Sequence, residues 1–135
     1  MRARWGAAPD LAAFTLMAEA AFAALPPGFR DRCQSVALRV AEFADRETLA
    51  DLGIESPWEL TGLYRGVALT QKSHEDSGGL PDEVWLYRQP ILLEWIETPE
   101  LGLEALISHV LVHEIGHHFG LSDADIDAIE ARETG

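Results

Sequence analysis

Cysteine and lysine are almost absent from this sequence. Cys33 is the only cysteine, so no disulfide can form within the chain and the disulfide framework of small secreted domains is excluded. Lys72 and nine arginines are opposed by 23 acidic residues, which gives a formal net charge of -13. Such a negative field repels polyanions, so neither a nucleic acid nor an anionic membrane surface is expected as a partner.

Long hydrophobic runs are missing as well, and no segment is apolar over a length that would span a bilayer. What remains is the composition of an ordinary soluble domain, since 47% of the residues are hydrophobic and 24% are charged. A chain of 135 residues can bury one sizeable core but not two. We therefore expect residues 1–135 to form a single domain.

The N-terminal segment has some features of a secretory signal peptide, because Arg2 and Arg4 precede an alanine-rich stretch. Asp10 and Glu19 interrupt its apolar part, however, and its large apolar residues recur at helical spacing. The pattern favours an amphipathic first helix of the folded domain, which the prolines of LPPGF (25–29) end. A cytoplasmic location is the expectation that follows.

Periodicity and turn signals predict strands and helices along the rest of the chain. Alternation and β-forming residues predict strands over 35–43, 60–70 and 83–88. Helical spacing predicts helices over 46–53, 89–97, 101–120 and 123–133, and a polar loop covers 70–83. The order of a helix, then strands, then helices predicts an α+β fold in which helices pack against a small sheet.

The longest predicted helix carries four of the five histidines, in the stretch HVLVHEIGHHFGLSD (109–123). His113 and His117 are four residues apart, so both imidazoles project from one face of the helix and can converge on one ion. Glu114 between them completes an H-E-x-x-H pattern, in which the glutamate is the general base toward a metal-activated water. A helix with histidines and no metal is the alternative, but an uncoordinated histidine pair would be costly to bury in so apolar a segment.

A catalytic zinc needs a third protein ligand. His109 continues the series, but three histidines in this register stretch along roughly 12 Å of helix axis, so we expect His109 to pack beside the site. His118 is rotated from His117 by about a quarter turn, so it is expected to hydrogen-bond or to lie at the surface. Both His109 and His118 are candidates for contacts around the metal or with a substrate, whereas His74 belongs to no motif.

The candidate third ligand follows Gly120, which can adopt the left-handed conformation and turn the chain back beneath the metal. Asp123 is the first carboxylate after that turn, and it completes the pattern H-E-x-x-H-x-x-G-x-x-D. N-capping of the last helix, by Ser122 or by Asp123 itself, is the competing role. Weaker candidates for the ligand are the acidic residues Asp125, Asp127, Glu130 and Glu133.

HEIGHHFGLSDADI, together with LTGLYRGVALT and DEVWLYRQPIL upstream, resembles the small bacterial zincin-like metallopeptidases, sometimes called minimal metalloproteases. The resemblance runs from about Val36 to the C-terminus. It implies a minimal zincin-like fold, with a small mixed sheet, an active-site helix and few further helices. It also implies one Zn²⁺ per chain, bound by His113, His117 and Asp123, with Glu114 as the base.

The sequence departs from the larger metzincins beneath the metal. Those enzymes have a methionine-containing turn there, whereas Met1 and Met17 are the only methionines of this chain and lie far upstream. The floor of the site must therefore be built by other side chains. Ile126 and Ile129 of the last helix are the candidates.

The expected activity is hydrolysis of peptide bonds by a zinc-activated water, with Glu114 taking the water proton and passing it to the leaving amine. A peptide or protein substrate is expected to pair with strand 84–88 by β-strand addition, and the alternative is that this segment is an ordinary core strand. Gly78 and Gly79 fit a loop 70–83 that closes over the cleft, or equally a plain mobile loop.

Two other functions share parts of this pattern. A family of ribosomal-RNA maturation factors uses a related histidine-rich helix to act on RNA, but Glu114 and the charge of -13 oppose that function here. The second alternative is a metal-binding domain whose zinc is structural or regulatory and catalyses no reaction. Structural sites are usually closed by four cysteine or histidine ligands, whereas three ligands and an intact glutamate leave a position open for chemistry.

Overall fold

The computed structural model describes residues 8–33, 35–66 and 82–134, except for the side chains of Arg32, Asp123 and residues 130–134. The helices of this part of the chain are α1 (Leu11–Ala23), α2 (Pro27–Arg32), α3 (Arg46–Leu52), α4 (Arg88–Glu97), α5 (Leu103–His118) and α6 (Asp123–Thr134). The strands are β1 (Val36–Ala41), β2 (Gly62–Arg65) and β3 (Asp82–Tyr87), and 3₁₀ turns cover Pro57–Glu59 and Pro99–Leu101. This combination of helices and a small sheet confirms the α+β prediction.

Side-chain caps explain where α1 and α3 begin. The Asp10 carboxylate accepts a hydrogen bond from the Ala13 N–H at 2.9 Å, and the Asp45 carboxylate accepts one from the Thr48 N–H at 2.7 Å. Helix α3 ends at Gly53, whose φ of +71° is the left-handed conformation that glycine adopts without strain. Both helices therefore begin at residues whose side chains favour that position.

The prolines after α1 end that helix as predicted, and they also start another one. Pro27 lies in the first turn of α2, where its missing N–H costs no hydrogen bond. Helix α2 has only 6 residues, too few for a helical period to be recognised in the sequence, and it was not predicted. Its Phe29 is buried in the main core, so the short helix has a packing role.

The strands form one mixed sheet in the order β1–β3–β2. Strands β1 and β3 are parallel, with Val36 opposite Asp82. Strands β2 and β3 are antiparallel, with Gly62 opposite Leu86. The sheet is therefore small and mixed, as the family resemblance implies, and its central strand comes last along the chain.

Helix α5 covers the sheet and joins it to the other helices. It contacts β2, β3, α1, α4 and α6. The side chains of Ile107, Leu111 and Ile115 have 0% exposure and belong to the same core as Val84 and Leu86 of the central strand. Because so many elements pack against it, α5 is fixed on several sides. Its side chains therefore have well-defined positions.

The described helices are short or polar compared with a membrane span. None of them, within residues 8–33, 35–66 and 82–134, is both long enough and apolar enough to cross a bilayer.

Candidate metal centre

The histidines of α5 lie in a row along the helix. The ring centroids of His109 and His113 are 4.1 Å apart, and the rings are tilted by 45°. Those of His113 and His117 are 5.7 Å apart, and the rings are nearly perpendicular at 88°. The latter separation is short enough for both imidazoles to contact one ion through bonds of about 2 Å. The two rings thus lie as their spacing predicts, while metal binding by them stays a prediction.

The chain turns sharply after α5, at Gly120. This glycine has a φ of +85°, which is the left-handed conformation predicted for it. Its N–H donates to the carbonyl of His117 at 3.0 Å, and the Leu121 N–H donates to the carbonyl of Gly116 at 3.0 Å. Such bonds satisfy carbonyl groups that the end of a helix leaves unpaired. The predicted glycine turn is therefore confirmed.

Ser122 caps the helix that follows this turn. The Asp125 N–H donates to Ser122 Oγ at 3.1 Å, and the Ser122 N–H donates to the Asp125 carboxylate at 3.2 Å. This reciprocal pair is the capping-box arrangement, with aspartate in the place of the usual glutamate. Helix α6 begins at Asp123, directly after the cap. The capping role that competes with metal binding at Asp123 is thus filled by its neighbour.

Helix α6 packs closely against α5 at Gly116. A Cβ added to this glycine would lie 2.7 Å from Ile126 Cδ1 and 2.8 Å from Ile126 Cγ1, so only a residue without a side chain permits the approach. Ile126 has 0% exposure, and Ile129 packs against the same core. These are the two residues predicted to replace a methionine floor, and their packing is compatible with that role.

This packing brings a carboxylate close to the histidine row. Asp127 Oδ1 lies 3.8 Å from His113 Nε2, and the exposed fractions of the two side chains are 68% and 20%. Asp123 precedes Asp127 by one helical turn, but its side chain lies outside the described part of the structure. Among the side chains that are described, no three histidines, cysteines or acids are grouped so as to hold a metal ion.

Glu114 lies on the neighbouring face of α5, which is turned toward β2. A Cβ added to Gly62 would lie 2.8 Å from Val110 Cγ1 and 3.3 Å from Glu114 Cγ, so helix and strand meet at a glycine. The backbone N–H of Tyr64 lies near the Glu114 carboxylate and favours its charged form. Burial raises the pKa of Glu114 above its ordinary value, and nearby His117 and the Tyr64 N–H partly oppose this rise. Glu114 is therefore a partly desolvated carboxylate with a backbone N–H nearby.

His118 faces β2 as well. The sequence predicts only that this residue hydrogen-bonds or lies at the surface. Its ring stacks on that of Tyr64, with centroids 3.8 Å apart and an interplanar angle of 17°. The Tyr64 hydroxyl donates to the Asp82 carboxylate at 2.9 Å, and His118 Nε2 lies 3.9 Å from the same carboxylate. Tyr64, Asp82 and His118 are referred to below as the β2 clamp.

Sequence reasoning missed Tyr64 and Asp82 because neither belongs to a known motif. One signal was present, since Tyr64 lies between Gly62 and Gly66 at alternate positions of a strand. Residues at alternate positions share one face, and glycines on a strand often mark a close approach of other groups. The pattern indicates that another element packs closely against this face of the strand, with Tyr64 between the two glycines.

The predicted peptide-binding role of strand 84–88 is contradicted by the order of the sheet. Strand β3 pairs with β1 on one side and with β2 on the other, so its backbone groups are already used. The alternative of an ordinary core strand is correct, and Arg88 already belongs to α4. Most of the predicted loop 70–83, with Gly78, Gly79 and His74, lies outside the described residues.

Comparison with known families agrees with this architecture. A family model described as zincin-like metallopeptidase matches residues 33–133, which include the sheet, α5 and the H-E-x-x-H stretch. The chain therefore belongs to the zincin-like metallopeptidase family, and the resemblance stated from the sequence is confirmed. Proteins of zincin-like families generally bind zinc. No curated protein matches the chain.

Proposed function

We propose that this protein is a zinc-dependent peptidase that hydrolyses peptide bonds. The observation that carries the proposal is the placement of Glu114, which packs against β2 at Gly62 and is partly desolvated near the Tyr64 N–H. It lies on α5 between His113 and His117, whose rings are 5.7 Å apart. A structural metal site does not require a carboxylate held in this way, whereas a general base does. Membership of the zincin-like family supports the same class of reaction.

The metal of this proposal is one Zn²⁺ per chain, held by His113, His117 and Asp123. Two perpendicular imidazoles form a donor set that suits zinc. The capping of α6 by Ser122 supports a different role for Asp123. When bound, the ion polarises the carbonyl of the scissile peptide and lowers the pKa of a water molecule toward neutrality.

Glu114 supplies the proton transfers. It accepts a proton from the attacking water and returns that proton to the amine nitrogen of the leaving peptide. Because burial raises the pKa of Glu114, its carboxylate accepts a proton more readily near neutral pH than an exposed glutamate does. The Tyr64 N–H restricts the orientation of the carboxylate and leaves its other lone pairs available for the water.

The substrate of this proposal is an extended peptide that pairs with β2 instead of β3. Strand β2 contacts the helix beside Glu114, and among the strands of the described ranges it is paired along one edge only. An edge strand offers backbone groups with which a further extended segment can pair. The net charge of -13 favours a peptide over RNA, because a polyanion would be repelled.

Elemental analysis of protein purified without added metal tests the metal assignment. The wild type and Glu114→Gln should each retain about one zinc per chain, whereas Asp123→Ala should lose most of it. Asp127→Ala is the matched control, because it removes a carboxylate one turn further along the same helix. A zinc loss in Asp127→Ala instead of Asp123→Ala would reassign the third ligand. A wild type that neither retains zinc nor takes it up would refute the metallopeptidase proposal.

A peptide library then tests the reaction. Wild-type protein should cleave peptides in the library, and Glu114→Gln should reduce kcat by about 10²–10⁴-fold, the range typical of a general base. Zinc content of the variant, measured on the same sample, separates a lost base from a lost metal. A zinc-loaded wild type that cleaves no peptide would favour the non-catalytic metal domain.

A further inference from the structure

We propose that the β2 clamp is a positioning device for the general base. Tyr64, Asp82 and His118 fix β2 against α5, so that the Tyr64 N–H stays on the Glu114 carboxylate. The catalytic consequence rests on the proposed peptidase function. The geometric consequence does not, since a backbone hydrogen bond can be measured in protein that cleaves nothing.

The clamp joins helix and strand one turn beyond the base. His118 follows Glu114 by four residues, so both side chains leave the same face of α5. On β2 the matching face carries Gly62, Tyr64 and Gly66 at alternate positions. A Cβ added to Gly66 would lie 3.1 Å from His118 Cε1, and one added to Gly62 would lie 3.3 Å from Glu114 Cγ. The helix therefore meets the strand at two glycines, with Tyr64 between them.

The ladder of the sheet does not use the Tyr64 N–H. The Tyr87 N–H donates to the carbonyl of Thr61 at 2.9 Å, which directs the odd-numbered residues of β2 toward β3. By alternation, the backbone groups of Tyr64 point away from β3 and toward Glu114. The position of this N–H thus depends on how firmly the outer side of a four-residue strand is held.

The Tyr64 side chain provides that hold. Its ring is stacked on His118 of the helix at 3.8 Å, and its hydroxyl is bonded to Asp82 of the central strand at 2.9 Å. The Asp82 side chain is only 15% exposed, so this anchor is well shielded from solvent. Tyr64 is therefore in contact with both helix α5, through its ring, and the central strand β3, through its hydroxyl.

The stacking and the hydrogen bond described for the β2 clamp involve Tyr64, Asp82 and His118, whereas the proposed metal ligands of α5 are His113 and His117. Loss of the clamp should loosen the Tyr64 N–H and misplace the base without removing a metal ligand. We therefore expect zinc affinity to stay within about twofold of the wild type, while kcat falls by about tenfold to a hundredfold with little change in KM. A clamp that only stabilises the fold would change neither kcat nor the Tyr64 hydrogen bond at temperatures where the variant is folded.

Amide hydrogen exchange at Tyr64, measured by NMR, reads this hydrogen bond directly. His118→Ala is the main variant, because a side chain that is 38% exposed can be removed without unfolding the protein. It should lower the protection of the Tyr64 amide by about tenfold or more, since local opening governs exchange. Asp82→Asn and Tyr64→Phe should do so to a smaller extent. His118→Phe, which keeps a ring for stacking, should restore most of the protection.

Two controls make the result decisive. Glu114→Ala should abolish the extra protection, because it removes the acceptor itself. Leu63→Ala destabilises β2 from its other face, where Leu63 packs against the cluster containing Tyr87, and should leave the Tyr64 amide protected. Unchanged protection in His118→Ala, or an equal loss in Leu63→Ala, would overturn the proposal. If the exchange pattern holds and no peptide is cleaved, the peptidase function fails while the positioning geometry stands.

Discussion

The two functional faces of α5 are held in different ways. On the face toward β2, Glu114 packs against a strand that approaches through Gly62, and the Tyr64 N–H lies near its carboxylate. On the face toward α6, the row of histidines ends in His117, which is exposed, and the neighbouring helix is anchored through Ile126. The fold therefore constrains the proposed base, Glu114, on several sides. It constrains the proposed ligands mainly through the periodicity of one helix.

This difference matches what each kind of group needs. A metal ion orders its own ligands when it binds, so the ligand side chains can be loosely held beforehand. A general base has no such organiser and must be placed by the protein before the substrate arrives, because small displacements cost large factors in rate. The rigid side of α5 therefore indicates the proposed base, and the accessible side indicates the proposed metal ligands.

Replacing the histidines of the row should give the largest effect and separate ligand from neighbour. His113→Ala should weaken zinc binding by about a hundredfold or more, because it removes one of the three proposed ligands. His109→Ala should weaken it by about tenfold, since its ring packs beside that of His113. Competition with a chromogenic chelator measures both constants. Equal losses in the two variants would show that His109 is a ligand too.

Adding a methyl group at Gly62 should disturb the contact between β2 and α5 beside Glu114. The new Cβ would lie 2.8 Å from Val110 Cγ1 and 3.2 Å from the backbone carbonyl of Trp85, so either the strand or the helix must move. We expect Gly62→Ala to destabilise the fold by about 1–3 kcal/mol and to abolish peptide cleavage, with zinc still bound. Urea denaturation and zinc analysis on one preparation check this. Full activity in this variant would contradict the close fit.

The same substitution at Gly116 should act on the other face and cost less stability. A Cβ there would meet Ile126 at 2.7 Å, but alanine is a better helix former than glycine by about 1 kcal/mol, and this gain offsets part of the clash. Helix α6 must then shift. We expect weaker zinc binding and a net loss of about 1 kcal/mol. Zinc affinity equal to that of the wild type would mean that the position of α6 does not matter to the metal.

The pH dependence of stability should show the smallest effect, and it reports on the surroundings of Glu114. Because burial raises the pKa of Glu114, the unfolded chain ionises first as the pH rises past the ordinary value of 4.5. The folded state then binds more protons than the unfolded state, so the free energy of unfolding of the metal-free protein falls as the pH rises toward the folded pKa.

Glu114→Gln should remove this fall while its amide oxygen still accepts from the Tyr64 N–H. The variant should match the metal-free wild type at about pH 4 and exceed its stability at neutral pH by about 1 kcal/mol or less, as is common when a functional group is replaced. Denaturation curves with a chelator present, at both pH values, provide the measurement. A variant whose advantage does not grow with pH would contradict the burial of the base.

Much of the fold follows from local patterns and was predictable. Caps and glycines dictate the ends of α3 and α5, since Asp45, Gly53 and Gly120 each satisfy or release backbone groups within a few residues. The register of the histidines follows from the helical period alone. These features depend on neighbours in the sequence, so the sequence suffices for them.

The order of the strands and the surroundings of the base depend on distant residues and were not predictable in this way. Alternation marks β3 as a strand but does not say that β1 and β2 lie on either side of it. The contact of Tyr64 with Asp82 and His118 joins three separate elements. The approach of Asp127 to His113 requires the angle between two helices, which Gly116 and Ile126 set by packing.

The sheet order also affects how the chain folds while it is being synthesised. Strand β3 is the shared partner of β1 and β2, so neither earlier strand can pair with it until it has been made. Pairing Val36 with Asp82 closes a loop of more than forty residues. The chain loses the conformational entropy of this loop before the contacts of the sheet stabilise it. The three-stranded sheet therefore cannot form until β3 has been synthesised.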